Sequence, residues 1–127
     1  MHTGKFVTAI NCMDGRVQEP VIAWMKNEYT AQFVDLITEA GPNRVLSANS
    51  DQGAIDSIKS RIEISVKNHG SNVIAIVGHY DCAGNPNGKE VQVNDILAAR
   101  ELVKSWYPEC TVLGLWVNDH WNVTRVD

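Results

Sequence analysis

Two hydrophobic periods alternate along this chain, and the switching divides it into strands and helices. Phe6-Val7-Thr8-Ala9-Ile10 is a short β-branched run that predicts a first strand ending near Cys12. Val17, Val21, Trp24 and Met25 then recur at helical steps, predicting a helix from Val17 to Tyr29. Pro20 is tolerated only in a first turn, which moves the expected start toward Glu19. Phe33-Val34-Asp35-Leu36-Ile37 predicts the second strand, and Gly41-Pro42-Asn43 a turn followed by a loop rich in Ser and Asn. Ile55, Ile58, Ile62 and Val66 form the apolar stripe of a helix starting around Asp51 and ending at Asn68-His69-Gly70, with Gly70 as a left-handed cap. Val73-Ile74-Ala75-Ile76-Val77-Gly78 is continuously apolar, as a strand buried on both faces must be. A third long helix is predicted from Val91 to Trp106, and a fourth strand at Thr111-Val112-Leu113-Gly114-Leu115-Trp116-Val117. The residues from Asn118 to Asp127 read as a short edge strand or a tail.

Strands alternating with helices indicate an α/β fold with a mainly parallel sheet. The expectation is a single domain over residues 1–127, with a four-stranded, mainly parallel sheet in the order 2-1-3-4 flanked by helices. That order sets the first and third strands side by side. Their carboxyl ends then meet at the switch point where open α/β sheets bind ligands. Two polar motifs follow those ends: Cys12-Met13-Asp14-Gly15-Arg16 and His79-Tyr80-Asp81-Cys82.

Composition narrows the function classes. The 127 residues are 44% hydrophobic and 20% charged, as in globular proteins, with a net charge of −4. There is no basic stripe, so nucleic acid is not an expected partner. No apolar run approaches the roughly 18 residues of a membrane span, so no membrane partner is expected either. Met1-His2-Thr3-Gly4-Lys5 lacks an apolar signal region, making a cytoplasmic location the expectation. Three cysteines, an odd number, argue against a disulfide framework in that setting.

Cys12, His79 and Cys82 together offer two thiolates and one imidazole, a donor set that selects zinc over magnesium or calcium. Structural zinc sites close with four such ligands; here a fourth position is left for water or for the carboxylate of Asp14. Asp14 and Arg16 are two apart, so an extended segment would point both side chains the same way and pair them. An ionised Asp14 beside a zinc-bound water would accept its hydrogen bond and favour hydroxide. The remaining candidates have plainer readings. Cys110 reads as a buried, inert thiol, His69 as a helix-end residue suited to the dipole, and His120 as exposed. His2 reads as unordered and Asp81 as an outer acceptor or loop residue. Tyr80 either lines the site or packs outside it. Trp106, Trp116 and Trp121 read as core or interface residues.

At the two motifs the chain resembles the β-class carbonic anhydrases, which carry Cys-x-Asp-x-Arg after the first strand and His-x-x-Cys after the third. Order, spacing and strand context match over roughly residues 5 to 117, including Gly78 before the histidine. The resemblance implies zinc held by Cys12, His79 and Cys82, with Asp14 and Arg16 as the catalytic dyad. It also implies that Asp14 can leave Arg16 and close on zinc as a fourth ligand. The implied reaction is reversible hydration of carbon dioxide to bicarbonate by a zinc-bound hydroxide, in a homodimer or higher homo-oligomer. Hydrolysis of carbonyl sulfide or carbon disulfide, and a noncatalytic closed zinc site, are the alternatives. The chain departs from the family at Gly15 (commonly Ser or Ala), at Ala83 (commonly Gly, which here follows as Gly84) and in the run Glu39-Ala40-Gly41-Pro42-Asn43-Arg44. It also reads as shorter than many members, so their N-terminal helical arm is not expected.

Overall fold

The computed structural model describes residues 4–127. His2, expected to be unordered, lies outside them. The chain runs β1 (Phe6–Cys12), a 3-10 turn (Gly15–Val17), α1 (Gln18–Tyr29), β2 (Phe33–Glu39), α2 (Pro42–Ala48), α3 (Gln52–Glu63), a π-helical turn (Ile64–Asn68), β3 (Val73–His79), α4 (Lys89–Trp106), β4 (Thr111–Val117) and β5 (Val123–Arg125). The strands form one sheet in the order β2-β1-β3-β4-β5. The first four are parallel, as the continuous apolar runs require, and β5 adds antiparallel to β4.

Side chains alternate across the sheet and divide the core in two. Val7 and Ala9 of β1, with Val73, Ala75 and Val77 of β3, pack against Val21 and Met25 of α1. Ile10, Ile74 and Ile76 face the other way, toward Leu46 of α2, Ile55, Ile58 and Ile62 of α3, and Ala99 and Val103 of α4. Pro20 sits in the first turn of α1, where a missing N–H costs no intrahelical bond. Gly70 has φ +71, the left-handed geometry expected of it.

Among the described residues the sheet has a fifth strand beside the four expected, the short edge strand that was one of the two readings of residues 118–127. Asn118 makes the last strand possible: its side chain accepts from the N–H groups of His120 and Asn122 and closes a hairpin. Asp127 anchors the far end, accepting from Gly114 N–H at 3.1 Å and pairing with Arg100 at 2.7 Å. The Ser/Asn-rich segment expected as loop contains α2. Pro42 occupies its first turn, a position that favours proline, yet Asn43, Arg44 and Ser47 leave too few apolar residues for a stripe.

Candidate metal centre

β1 and β3 lie side by side, but their ladder ends at the Ile10–Ile76 pair. Past that pair, Cys12, His79 and Cys82 come together. The Cys12 and Cys82 sulfurs are 3.8 Å apart, and the ligand atoms of all three residues lie within 4.8 Å of one another. The histidine is 0% exposed and each cysteine 4%. His79 Nδ1 lies 2.7 Å from the Tyr80 carbonyl, which fixes it as the protonated nitrogen and leaves Nε2 as the base. Among the described residues, His79 Nε2 is the buried side-chain nitrogen or oxygen atom left without a hydrogen-bond partner. An orphaned imidazole nitrogen facing two free thiols is a donor set that fits a soft divalent cation.

The electrostatics point the same way. The hydrogen bond from the Cys82 thiol holds the Cys12 thiol well below its ordinary value, against the opposing effect of burial. Cys82 is pushed up correspondingly, first by that same shared proton and then by burial. Burial pulls His79 down, but the Cys12 sulfur and the Tyr80 carbonyl outweigh it and raise the imidazole. Cys12 and His79 thus each favour the charged form of the other. Backbone N–H groups of Gly41 and Asp14 support Cys12, and those of Asn85 and Gly84 support Cys82. Two glycines make that possible. A Cβ on Gly84 would stand 2.3 Å from the Ala40 carbonyl carbon, and one on Gly41, at φ +61, would stand 2.5 Å from the Gly84 carbonyl carbon.

Asp14 and Arg16 meet, though not through an extended segment. Asp14 caps the 3-10 turn that holds Arg16 and accepts from the Arg16 backbone N–H at 2.9 Å. The guanidinium grips the same carboxylate through Nε at 3.0 Å and Nη2 at 2.6 Å. These hydrogen bonds from Arg16 hold the Asp14 carboxyl down at about 2. Arg16 is itself held by Asp81, through the carboxylate at 3.2 Å and the carbonyl at 3.1 Å. Its guanidinium carbon lies over the Trp121 ring, 4.7 Å from the ring centre, and Tyr80 meets Trp121 edge-on. Both Asp81 and Trp121 adopt left-handed backbone conformations, at φ +57 and +60. Asp14, Arg16, Asp81, Cys82 and Asn87 line a cleft of about 390 Å³.

The remaining candidates fall elsewhere. Cys110 and Trp116 are buried, Trp106 packs against the α3/α4 side of the core, and His120 is exposed. His69 Nδ1 lies 2.6 Å from Asp35, with its ring stacked on Phe6, far more engaged than a helix-end charge. Asp81 is the outer acceptor that was one of its two readings, with Arg16 as donor. Sequence reasoning missed the reach of Trp121 to Arg16, and Gln92, which is fully buried and bonded to His79. Gln92 did leave a signal: it falls on the same helical stripe as Ile96, Ala99 and Val103.

A mainly parallel sheet with a Cys–His–Cys cluster at the ends of its neighbouring strands β1 and β3 defines a protein of β-carbonic-anhydrase architecture. A carbonic anhydrase from Streptococcus mutans superposes with a TM-score of 0.64 at 20% identity, over 95% of this chain and 81% of that one. A carbonic anhydrase from Glaciozyma antarctica gives 0.63 at 14% identity, over 95% and 81%. A tetrameric β-carbonic anhydrase from Sordaria macrospora gives 0.58 at 13%, over 98% and 82%. At these identities the likeness is one of fold. No curated protein sequence matches. The chain belongs to the carbonic anhydrase family whose model, described as "Putative carbonic anhydrase", matches residues 2–127.

Proposed function

We propose that the protein catalyses the reversible hydration of carbon dioxide to bicarbonate and a proton, with a zinc ion held by Cys12, His79 and Cys82. The observation that carries this reading is the pairing of a buried soft-donor cluster with an Asp14 carboxylate, fixed by Arg16, on the wall of the adjoining cleft. When bound, zinc supplies Lewis acidity and lowers the pKa of water toward about 7. The rest follows from the chain's own groups. Arg16 keeps Asp14 ionised and therefore an acceptor at any pH near neutrality. Three Arg16 donors occupy the carboxylate. An ionised carboxylate has about four acceptor sites, so one remains for the O–H of a water in the cleft. That hydrogen bond turns the water oxygen toward carbon. A C–O bond forms, one carbon–oxygen π pair moves onto oxygen, and the proton passes to solvent.

The engagement of Asp14 with Arg16 supports an open site over a closed, noncatalytic one. A homodimer or larger homo-oligomer is part of the proposal, supported by the tetrameric state named for the Sordaria proteins; a sedimentation mass of one chain would refute it. The central test is stopped-flow carbon dioxide hydration on protein of confirmed zinc content, with carbonyl sulfide and carbon disulfide assayed alongside. Turnover that rises with pH through about 7 is expected. A zinc-loaded sample inert toward carbon dioxide would overturn the reading, and turnover of a sulfur substrate in that sample would replace it.

A further inference from the structure

β3 has neighbours of unequal length. Its pairing with β4 continues to His79–Val117, while its pairing with β1 stops at Ile76. The main-chain groups of His79 would therefore lose a sheet partner at the residue that must be aimed most accurately. The Gln92 carboxamide takes that place. Its Nε2 donates to the His79 carbonyl at 2.8 Å, and its Oε1 accepts from the His79 N–H at 3.2 Å. One side chain thus supplies both halves of the bond pair that a strand would supply.

The same amide reaches further. Nε2 also lies 3.0 Å from the Asn87 carbonyl and 3.2 Å from the Asn85 carbonyl. Asn87 lines the cleft, and the Asn85 backbone N–H supports Cys82. Oε1 is held in turn by Asn43 Nδ2 of α2 at 3.3 Å. Gln92 and Asn43 are 0% and 1% exposed, so water cannot substitute for either. The backbone closes around the amide at Gly78, where a Cβ would stand 2.7 Å from Asn43 Nδ2 and 3.0 Å from Gln92 Oε1. A buried amide with every polar atom engaged is costly to leave half-satisfied.

We infer that Gln92, set by Asn43, is a positioning residue of the metal centre: it aims His79 and ties the backbone beside Cys82 and the cleft wall to the same anchor. The inference rests on the proposed metal-binding reading, and the test separates the two. Zinc affinity is measured by chelator competition on the full chain, and the ligand field by the d–d absorption of cobalt-loaded protein. Gln92→Met removes the amide at nearly constant volume. Tyr107→Phe is the comparator, because it deletes a hydrogen bond from Tyr107 to Glu63 at the opposite end of α4.

Gln92→Met is expected to weaken zinc binding about 10–100-fold, the usual effect of losing a partner that orients a ligand, and to shift the cobalt bands. Tyr107→Phe is expected to lower the melting temperature and leave both metal readouts unchanged. If Gln92→Met does not fold, Gln92→Asn decides, since it keeps the amide but withdraws it by one methylene; an intermediate loss of affinity is expected. A folded Gln92 variant with wild-type zinc affinity and cobalt spectrum would overturn the inference and leave the metal centre standing. Wild-type protein that takes up neither metal would overturn both.

Discussion

The two halves of the site obey different physics. The Cys12–His79–Cys82 cluster is buried at strand ends, and its groups are held by backbone donors and a carbonyl. The Asp14–Arg16 pair sits on a turn, with the Arg16 side chain 45% exposed, and its groups are held by other charges and by an aromatic face. Buried polar groups gain from every satisfied contact and lose heavily from a missing one, whereas exposed ion pairs are screened by water and each contact counts for little. The cluster is therefore brittle and the pair tolerant, and substitutions should separate the two.

The largest effect is expected within the cluster. Cys82→Ser removes a soft donor and leaves its neighbours arranged for a cation they hold poorly. Metal content, measured by elemental analysis after purification without chelator, should fall well below one per chain. Hydration activity should fall by more than the ~10–100-fold that outer partners cost. Asp14→Asn comes next and breaks the comparison the other way: metal content should be unchanged while turnover falls about 10²–10⁴-fold, the range for a positioned proton acceptor. Equal loss of metal in both variants would mean that the two halves are one unit.

Titration sharpens the contrast further. Arg16 lowers the folded-state pKa of Asp14 from 3.8 to about 2. The pair therefore adds stability that is complete above pH 4 and fades as pH falls through about 2. Carboxyl NMR of Arg16→Met should return Asp14 toward its ordinary value, and an unmoved titration would show that Arg16 is not the cause. The smallest effect belongs to Trp121→Ala. It removes an aromatic face from a guanidinium still gripped by Asp14 and Asp81, and should cost about 2–5-fold in turnover with metal content intact. A loss as large as that of Asp14→Asn would make Trp121 central to the pair.

Much of this architecture was legible in the chain. The continuous apolar run of β3 announced a strand covered on both faces, and the stripe of α3 announced one of the helices that cover it. The pairing of Asp14 with Arg16 was legible in their proximity, but its backbone was not: Gly15 lies in a 3-10 turn rather than an extended segment. α2 was hidden because a short helix capped by Gly41 and begun by Pro42 needs little apolar periodicity of its own. Asp81 read as an outer acceptor or a loop residue; it is the acceptor, and the left-handed turn it adopts aims both its carboxylate and its carbonyl at Arg16.

By itself the sequence determined the periods, hence the parallel sheet, hence the placement of Cys12 and of His79-Tyr80-Asp81-Cys82 at adjacent strand ends. These are consequences of local spacing and of the burial each segment demands. The tertiary structure decided what holds those residues in place: the crossing of Gly41 and Gly84, the Gln92 amide under His79, and the Trp121 ring on Arg16. Gly41 and Gly84, like Trp121 and Arg16, lie far apart in the chain. Gln92 is only 13 residues from His79 yet reaches it by folding α4 back over the sheet. Such contacts leave no period to read, because they depend on which surfaces meet once the strands have closed.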